Sequence, residues 1–299
     1  MKVSVIIPTY NRPVQLKQAF DSVCRQTRKP DEIIIIDDAS DSQTNNLIQN
    51  LIGEEIKIKT ERNDISKGAC YSRNRGAQLA EGDILMFLDD DDTWESEKIA
   101  SQLNVFAQNP DVGLVYSGRL VVSDTDREKV IYKISPKAQG NLYPQILYEN
   151  LIGTTSSSAI KKSLFHRVGG FDEELPALQD YDLWIRLSKI ILVAHDNGYN
   201  VRYTVSENKG SQISQQSERQ IKVVQQILSK YNSEILSQGF LNARKIKASM
   251  LFYVAKSLRN KNWKDALPWI WKSFTLYPNL KTLALILPLE GIRILKSVK

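Results

Sequence analysis

Residues 85–94 read LMFLDDDDTW, four large apolar side chains followed at once by the four aspartates Asp89 to Asp92. An apolar run of this length that ends in polar residues is typical of a strand buried in a sheet. Adjacent carboxylates repel one another, and each charge makes ionisation of its neighbours less favourable, so a positive charge is favoured nearby. The stretch therefore predicts a buried strand whose end holds a cation, most simply a divalent metal ion.

Two similar apolar runs precede this one, Val3–Ile7 and Ile33–Ile36, and Ile56–Lys59 has the character of a weaker edge strand. Between the runs, residues 16–24 and 69–80 show the apolar spacing of amphipathic helices. Apolar strands that alternate with helices are typical of an α/β fold, with a mainly parallel sheet and helices on both faces. The sequence therefore predicts this fold class for the first 205 residues.

Polar residues follow three of these strands at their carboxyl ends, where ligands bind in parallel α/β sheets. They are Tyr10, the pair Asp37 and Asp38, and the four aspartates. Asp89 and Asp91 stand at alternate positions, and their hard carboxylate oxygens suit Mg²⁺ or Mn²⁺ bridging a diphosphate. The alternative is an acidic loop in solvent. A calcium loop of the EF-hand type is disfavoured, because the glycine and the glutamate that it needs are missing.

Five segments together resemble the family 2 glycosyltransferases, in the family's order and with its spacing. They are Val3–Arg12, Ile33–Asp41, Phe87–Trp94, Gly169–Glu173 and Gln179–Leu187. The resemblance implies a nucleotide-binding sheet of the glycosyltransferase A type. It also implies a hexosyltransferase-like enzyme that moves a sugar from a nucleotide-diphosphate donor, such as a UDP-sugar, to a hydroxyl acceptor with inversion at the anomeric carbon.

The resemblance also assigns roles to single residues. The nucleotide-binding residues would be Thr9, Tyr10, Asp38, Arg73 and Asp90, the Mn²⁺ or Mg²⁺ ligands Asp89 and Asp91, and the general base Asp180. Asp90 departs from the small residue that the family usually has there, which leaves open which oxygens touch the ion, and Asp92 has no assigned role. Each assignment has a plainer alternative: Tyr10 ends a strand, Asp38 forms a turn, and Arg73 lies on an exposed helix face.

Periodicity supports the choice of Asp180 independently. On a helix that starts near Gln179, Asp180 shares a face with Leu183, Trp184 and Leu187, so its carboxylate heads the stripe that packs inward. Burial would raise its pKa and the helix N-terminus would lower it, so the sign of the shift stays open. An N-terminal helix cap is the alternative role.

Residues 206–299 form a predicted helical, basic C-terminal region, with helices at 215–236, 241–258 and 263–277. Residues 200–299 carry 17 Lys and Arg against 5 Asp and Glu, although the whole chain has a net charge of only +6. Such asymmetry indicates an anionic partner. The terminal segment, 282–299, is apolar with basic residues between, which suits either an anionic membrane interface or a helix packed on the body. Nucleic acid is not predicted, because no motif for it is present.

Localisation is predicted to be cytoplasmic, with peripheral attachment to the inner face of the plasma membrane as an option. The apolar run before Pro8 is too short for a secretion signal, and no window approaches the roughly 20 apolar residues of a membrane span. The two cysteines, Cys24 and Cys70, suggest no disulfide framework. The expected acceptor is a cell-surface polysaccharide or a lipid-linked glycan.

Two other functions stay open at this point. A sugar-phosphate nucleotidyltransferase would use a similar sheet and a divalent ion, but it would need a glycine-rich loop after the first strand, where this chain has Pro8–Arg12. A non-catalytic nucleotide-sugar-binding scaffold is the second alternative. The carboxylates at Asp38, Asp89, Asp91 and Asp180 argue against it.

Overall fold

The computed structural model describes residues 1–51, 56–206, 217–259 and 262–286. Within these ranges the chain forms two compact units. The first contains Met1–Pro144, Asn150–Glu174 and Gln179–Glu207, and the second contains Gln145–Glu149, Leu175–Leu178 and Asn208–Lys299, as far as the described residues reach. The predicted division into a catalytic domain, residues 1–205, and a basic C-terminal region, residues 206–299, stays a prediction.

The first unit is built on a seven-stranded sheet. Its strands are β1 Val3–Thr9, β2 Glu32–Asp37, β3 Lys57–Arg62, β4 Ile84–Phe87, β6 Val112–Tyr116, β9 Ser158–Lys161 and β10 Leu192–His195. They lie in the order β10-β6-β9-β4-β1-β2-β3. Strand β9 runs antiparallel to both of its neighbours, and every other pair is parallel. The predicted mainly parallel sheet is therefore confirmed.

The register of the central strands brings their carboxyl ends together. Every residue of β1, β2 and β4 is buried, as their continuous apolar character predicts. Thr9 at the end of β1 pairs with Asp37 at the end of β2, and Ile6 pairs with Phe87 at the end of β4. The polar residues that follow these three strands consequently emerge at one edge of the sheet.

Helices cover both faces of this sheet. The helices of the first unit are α1 Pro13–Cys24, α2 Ser42–Gln49, α3 Ala69–Leu79, α4 Lys98–Gln108, α5 Lys162–Arg167 and α6 Gln179–Ser188. The apolar side of α1 joins a cluster with Val5 and Ile7, whereas α3 lies on the opposite face, against Ile6. At Gly76 of α3 a Cβ atom would come within 2.5 Å of Ile6 Cγ2. Glycine here allows the helix to approach the sheet closely.

A second, four-stranded sheet was not indicated by the sequence patterns. It has the order β5-β11-β7-β8 and consists of β5 Thr93–Trp94, β7 Arg119–Ser123, β8 Val130–Ile134 and β11 Val201–Val205. Strand β5 has only two residues and β8 is largely exposed, so neither shows a buried apolar run. This sheet matters because it receives the chain directly after the four aspartates.

The second unit is helical in its described part. Its helices are α7 Ser217–Lys230, α8 Asn232–Ser237, α9 Phe240–Arg259, α10 Trp263–Leu276 and α11 Leu280–Leu283. The predicted single helix over 215–236 is wrong, since the helix is interrupted at Tyr231, where ψ is 18°. The predicted helices at 241–258 and 263–277 correspond to α9 and α10.

The terminal segment predicted to meet a membrane, 282–299, lies beyond residue 286 for most of its length and so outside the described residues. Among the helices that the structure describes, none has the length and apolar character to cross a membrane.

Candidate active site

The four aspartates after β4 form a tight turn, closed by a 3.0 Å hydrogen bond from Asp92 N to Asp89 O. Their burial alternates. Asp90 and Asp92 are 6% and 1% exposed, whereas the side chains of Asp89 and Asp91 are 28% and 27% exposed. The turn therefore divides the acids into two that face the protein and two that face the site. This division distinguishes residues that the sequence alone could not separate.

Asp90 connects the turn to the end of β1. Its Oδ2 accepts a 2.9 Å hydrogen bond from Thr9 Oγ1, and its Oδ1 accepts a 3.0 Å bond from Arg12 Nη1. Burial raises the pKa of Asp90 to about 6, although the charge of Arg12 opposes the shift. Thr9 and Asp90, both predicted to contact the nucleotide, are buried and bonded to each other. Their nucleotide contact stays a prediction.

Asp92, which had no predicted role, joins the turn to the second sheet. Its Oδ1 accepts a 3.0 Å hydrogen bond from Thr204 N in β11. Burial and repulsion from Asp91 and Asp89 hold the pKa of Asp92 well above its usual range. Asp92 is a structural residue, because its buried carboxyl group is bonded to β11 and so fixes the direction in which the outward-facing pair points.

The outward pair, Asp89 and Asp91, is held by one arginine each. Arg73 Nη2 donates to Asp89 Oδ1, and Arg12 Nη1 donates a 3.1 Å bond to Asp91 Oδ2. Thr155 Oγ1 donates a 3.3 Å bond to the second oxygen of Asp89. Burial, followed by repulsion from Asp89, raises the pKa of Asp91. The outward pair is thus bonded to two arginines and stays partly exposed to the site.

These carboxylates fit one type of metal site and not another. Across the described residues, no group of three or more His, Cys, Asp and Glu side chains is arranged to hold a metal ion. Mg²⁺ and similar ions are, however, commonly held by one or two carboxylates together with substrate phosphates. Asp89 and Asp91 suit that second type, and their binding of a metal ion stays a prediction.

Arg73 is positioned by the segment Gly169–Glu173. Asn74 Oδ1 accepts a 2.8 Å bond from Phe171 N, and Asn74 Nδ2 donates a 2.9 Å bond to Phe171 O. The Phe171 ring, fixed in this way, lies 5.5 Å from the centre of the Arg73 guanidinium. The guanidinium in turn interacts electrostatically with both Asp89 and Asp180. The buried position of Arg73 excludes the alternative of an exposed helix face.

Asp180 lies in the first turn of α6, the helix predicted near Gln179. Leu183, Trp184 and Leu187 are fully buried, and Asp180 is partly buried, as the periodicity predicts. Burial raises the pKa of Asp180 to about 6, opposed by a 2.7 Å hydrogen bond from Tyr181 N and by the charges of Arg73 and Arg119. Burial thus decides the direction of the pKa shift of Asp180, which the sequence left open.

Asp38 follows β2 as predicted, but its oxygens are occupied. Oδ1 accepts bonds from Asn63 Nδ2 at 2.7 Å and Lys67 N at 2.8 Å, and Oδ2 accepts from Ser66 Oγ at 2.7 Å and Gly68 N at 2.8 Å. A carboxylate has about four acceptor positions, all used here. In this conformation Asp38 organises residues 63–68, so a bond from a nucleotide base requires one of these donors to leave.

Tyr10 lies at the predicted edge and is 49% exposed. The turn behind it is fixed by Asn11, whose backbone has φ 54°. Asn11 N donates a 3.0 Å bond to Ser40 Oγ, and Asp41 N donates a 2.7 Å bond to Asn11 Oδ1. The loops after β1 and β2 therefore form one rigid rim from which Tyr10 projects, and its nucleotide contact stays a prediction.

Sequence reasoning missed Arg12, Thr155 and Arg119 as residues of this site. Arg12 had a usable signal, since it follows β1 at the same edge as Tyr10. Thr155 and Arg119 had none, because residues 118–157 contain no motif, and only the pairing of β7 with β11 brings Arg119 to the site.

The family model described as glycosyl transferase family 2 matches residues 4–169 of the chain. An uncharacterised glycosyltransferase of Haemophilus influenzae is 34% identical over 186 residues, covering 62% of this chain and 61% of the relative. The putative colanic acid biosynthesis glycosyl transferase WcaA of Escherichia coli is 34% identical over 197 residues, covering 62% of this chain and 65% of the relative. The chain thus spans less than two thirds of the length of these relatives.

Solved structures with the same fold are more distant in sequence. TarS 1-349 of S. aureus in complex with UDP-GlcNAc has a TM-score of 0.65 at 20% identity, covering 96% of this chain and 84% of that one. The mannosyltransferase PcManGT of Pyrobaculum calidifontis, in complex with GDP-Man and Mn2+, has a TM-score of 0.61 at 16% identity, covering 95% and 78%. The sheet, its flanking helices and the match over residues 4–169 agree: the chain belongs to glycosyl transferase family 2.

Proposed function

We propose that this chain transfers a sugar from a nucleotide-diphosphate donor, a UDP-sugar, to a hydroxyl acceptor with inversion at the anomeric carbon. The observation that carries the proposal is the position of Arg73, which bonds to Asp89 and also interacts electrostatically with Asp180. One residue thereby links the acid predicted to face the donor diphosphate to the acid predicted to act as base.

The donor side of the proposal rests on Asp89, Asp91, Arg12 and Arg73. A divalent ion bound by Asp89 and Asp91 would supply electrostatic stabilisation of the negative charge that develops on the leaving diphosphate. The two arginines already bond to these acids, and their guanidinium groups suit phosphate oxygens equally well. The structures of TarS with UDP-GlcNAc and of PcManGT with GDP-Man and Mn2+ support a nucleotide-sugar donor and Mn²⁺.

The acceptor side rests on Asp180. Its raised pKa, about 6, makes it a stronger base than an ordinary aspartate while leaving it mostly ionised at neutral pH. Ionised Asp180 takes the proton from the acceptor hydroxyl as the oxygen attacks the anomeric carbon in a single displacement, which inverts that centre. The partial burial of Asp180 and its place at the start of α6 support this assignment.

The direct test is a screen of nucleotide sugars with purified protein and Mn²⁺, scored by thermal stabilisation and then by release of nucleoside diphosphate. The anomeric configuration of the product, measured by NMR, decides between inversion and retention. A retained configuration would contradict the proposed single displacement. Formation of a nucleotide sugar from a sugar phosphate and a nucleoside triphosphate would favour the nucleotidyltransferase. Tight donor binding without turnover would favour the non-catalytic scaffold.

The acceptor class and the location are proposed on different grounds. A polysaccharide or lipid-linked acceptor is supported by the name of the E. coli relative, which refers to colanic acid biosynthesis.

Contact with an anionic membrane surface is supported by the basic C-terminal region and by Trp263 and Trp271 of α10, which are 55% and 61% exposed. Flotation with anionic and with neutral vesicles at low salt tests this contact. Failure to float with the anionic vesicles contradicts it.

A further inference from the structure

Arg119, the first residue of β7, carries a half-buried guanidinium that forms no hydrogen bond and no ion pair with any residue in the described ranges. Burial lowers the pKa of Arg119, and the nearby acidic groups Tyr203 and Asp180 oppose that shift. The guanidinium therefore presents five N–H donors that no acceptor in the described ranges occupies. Arg12 Nη1 and Arg73 Nη2, by contrast, each donate to the aspartate turn.

The position of Arg119 is built by its surroundings. Gly153 packs so closely that a Cβ atom there would come within 1.5 Å of Arg119 Nη1, and Gly153 has φ +101°. Gly153 N donates a 2.7 Å bond to Asn150 Oδ1, and Gly153 O accepts a 2.8 Å bond from Trp184 Nε1. The backbone that touches the guanidinium is therefore fixed at two points.

These contacts also place Arg119 on the side of the predicted base. Trp184 stands one helical turn after Asp180 in α6, so both residues lie on the same face of that helix. Asp180 interacts electrostatically with Arg119, and the carboxylate bonds instead to Tyr181 N. The guanidinium thus keeps its donors available beside the group that would deprotonate the acceptor.

We propose that Arg119 binds an anionic group of the acceptor, a phosphate or a carboxylate, close to the hydroxyl that attacks. The planar guanidinium presents paired donors that match either anion. The proposal rests on the proposed function, because it takes Asp180 as the base and assigns Arg12 and Arg73 to the donor. It makes Arg119 a specificity-determining residue, which selects acidic acceptors over neutral ones.

The test is a calorimetric titration of the full chain loaded with UDP and Mn²⁺. The probes are glycerol 3-phosphate and glucuronate, with glycerol and glucose as their neutral counterparts. We expect at least one acidic probe to bind at least about tenfold more tightly than its counterpart, as charge-assisted bonds predict. Arg119→Gln should abolish that difference and leave the affinity for UDP within about twofold. The phosphate and carboxylate arms then identify the class of anion.

Two results would overturn the inference. In the first, the wild type binds acidic and neutral probes equally. In the second, Arg119→Gln lowers the affinity for UDP and inorganic pyrophosphate by as much as it lowers the affinity for the acidic probes. That result would assign Arg119 to donor binding. Titrating the acidic and neutral probes into the chain without UDP measures the preference for anions independently of donor binding. A wild type that does not bind UDP would contradict the proposed function, and this outcome is thereby distinguishable from failure of the inference.

Two further variants control for folding and for charge. Arg119→Lys keeps the positive charge without the paired donors, so we expect it to retain part of the preference for acidic probes. Arg167→Gln removes an exposed arginine of α5 and should leave every titration unchanged. If Arg119→Gln does not fold, a wild-type preference that Arg119→Lys leaves fully intact would contradict the role of paired donors.

Discussion

Thr9 Oγ1 donates a 2.9 Å hydrogen bond to Asp90 Oδ2, and this bond connects the end of β1 to the aspartate turn after β4. The two residues are 81 positions apart in the chain. This bond and the one from Arg12 hold Asp90 in a buried position, where ionisation of its carboxyl group is unfavourable.

Asp90 should therefore destabilise the folded protein at neutral pH. Its folded pKa, about 6, lies above the ordinary value of 3.8, so the folded state holds the proton more tightly and loses stability as pH rises from about 4 to about 6. We expect Asp90→Asn to be more stable than the wild type at pH 7.5 by about 1–3 kcal/mol, and by much less at pH 4.5. Urea denaturation at both pH values measures this, with the exposed Asp111→Asn as control. If the stabilisation of Asp90→Asn relative to the wild type is smaller at pH 7.5 than at pH 4.5, the raised pKa of Asp90 is contradicted.

Asp180→Asn should abolish transfer while the donor still binds. We expect the turnover rate to fall by about 10²–10⁴-fold, because an amide cannot accept the proton, and donor affinity to stay within about twofold. The exposed Glu174→Gln, a nearby change of the same kind, should leave both quantities unchanged. Single-turnover transfer and calorimetric donor titration separate the two effects. Full turnover in Asp180→Asn would remove the residue from the mechanism.

The pH profile of the wild type gives a second measure of Asp180. The base works when ionised, and its pKa is raised to about 6. We expect kcat/KM to fall about tenfold per pH unit below pH 6 and to reach a plateau above about pH 7. A profile that is flat between pH 4.5 and 6 would show that no group with this pKa controls the reaction.

Metal binding should depend on the nucleotide. Only Asp89 and Asp91 face the site from the turn, and both already bond to an arginine. We expect Mn²⁺ alone to bind weakly and Mn²⁺ with UDP to bind at least about tenfold more tightly, because phosphates complete the coordination. Asp91→Ala should remove this enhancement. Electron paramagnetic resonance of Mn²⁺ measures free ion directly, and UDP affinity that a chelator leaves unchanged would count against the metal.

Asp38 should act mainly on the loop that it organises. Hydrogen bonds from Lys67 N, Ser66, Asn63 and Gly68 outweigh burial and hold the pKa of Asp38 below its usual range. Asp38→Ala leaves two backbone amides without an acceptor, so we expect a loss of about 2–4 kcal/mol in the free energy of unfolding at pH 7. The loss should shrink as pH falls below about 4, because the unfolded chain takes up a proton at this aspartate before the folded wild-type carboxylate does.

Hydrogen exchange gives the local readout for Asp38. Amide exchange at residues 67 and 68 should rise in Asp38→Ala, while exchange in β1 follows the global change alone. Unchanged protection at both loop amides would show that the four donors do not depend on this carboxylate.

The sequence by itself determined the buried central strands β1, β2 and β4, because Val3–Ile7, Ile33–Ile36 and Ile84–Leu88 are apolar throughout and can lie only between two layers. It did not predict β6, β9 and β10, which complete the main sheet. It also placed Asp180 on the inward face of a helix, since the period of an α-helix fixes which residues share a side. These properties depend on neighbours within a few positions.

Only the tertiary structure decided what each of the four aspartates does. Their sequence environment is nearly uniform, but Asp90 meets Thr9, Asp92 meets Thr204, and Asp89 and Asp91 are left facing the site. The same holds for Arg119, which reaches Asp180 through strand pairing and the close approach of Gly153. Desolvation and pairing of charges depend on groups that are distant in the chain, so burial of a carboxylate and its pKa follow from the packed structure and not from the order of residues.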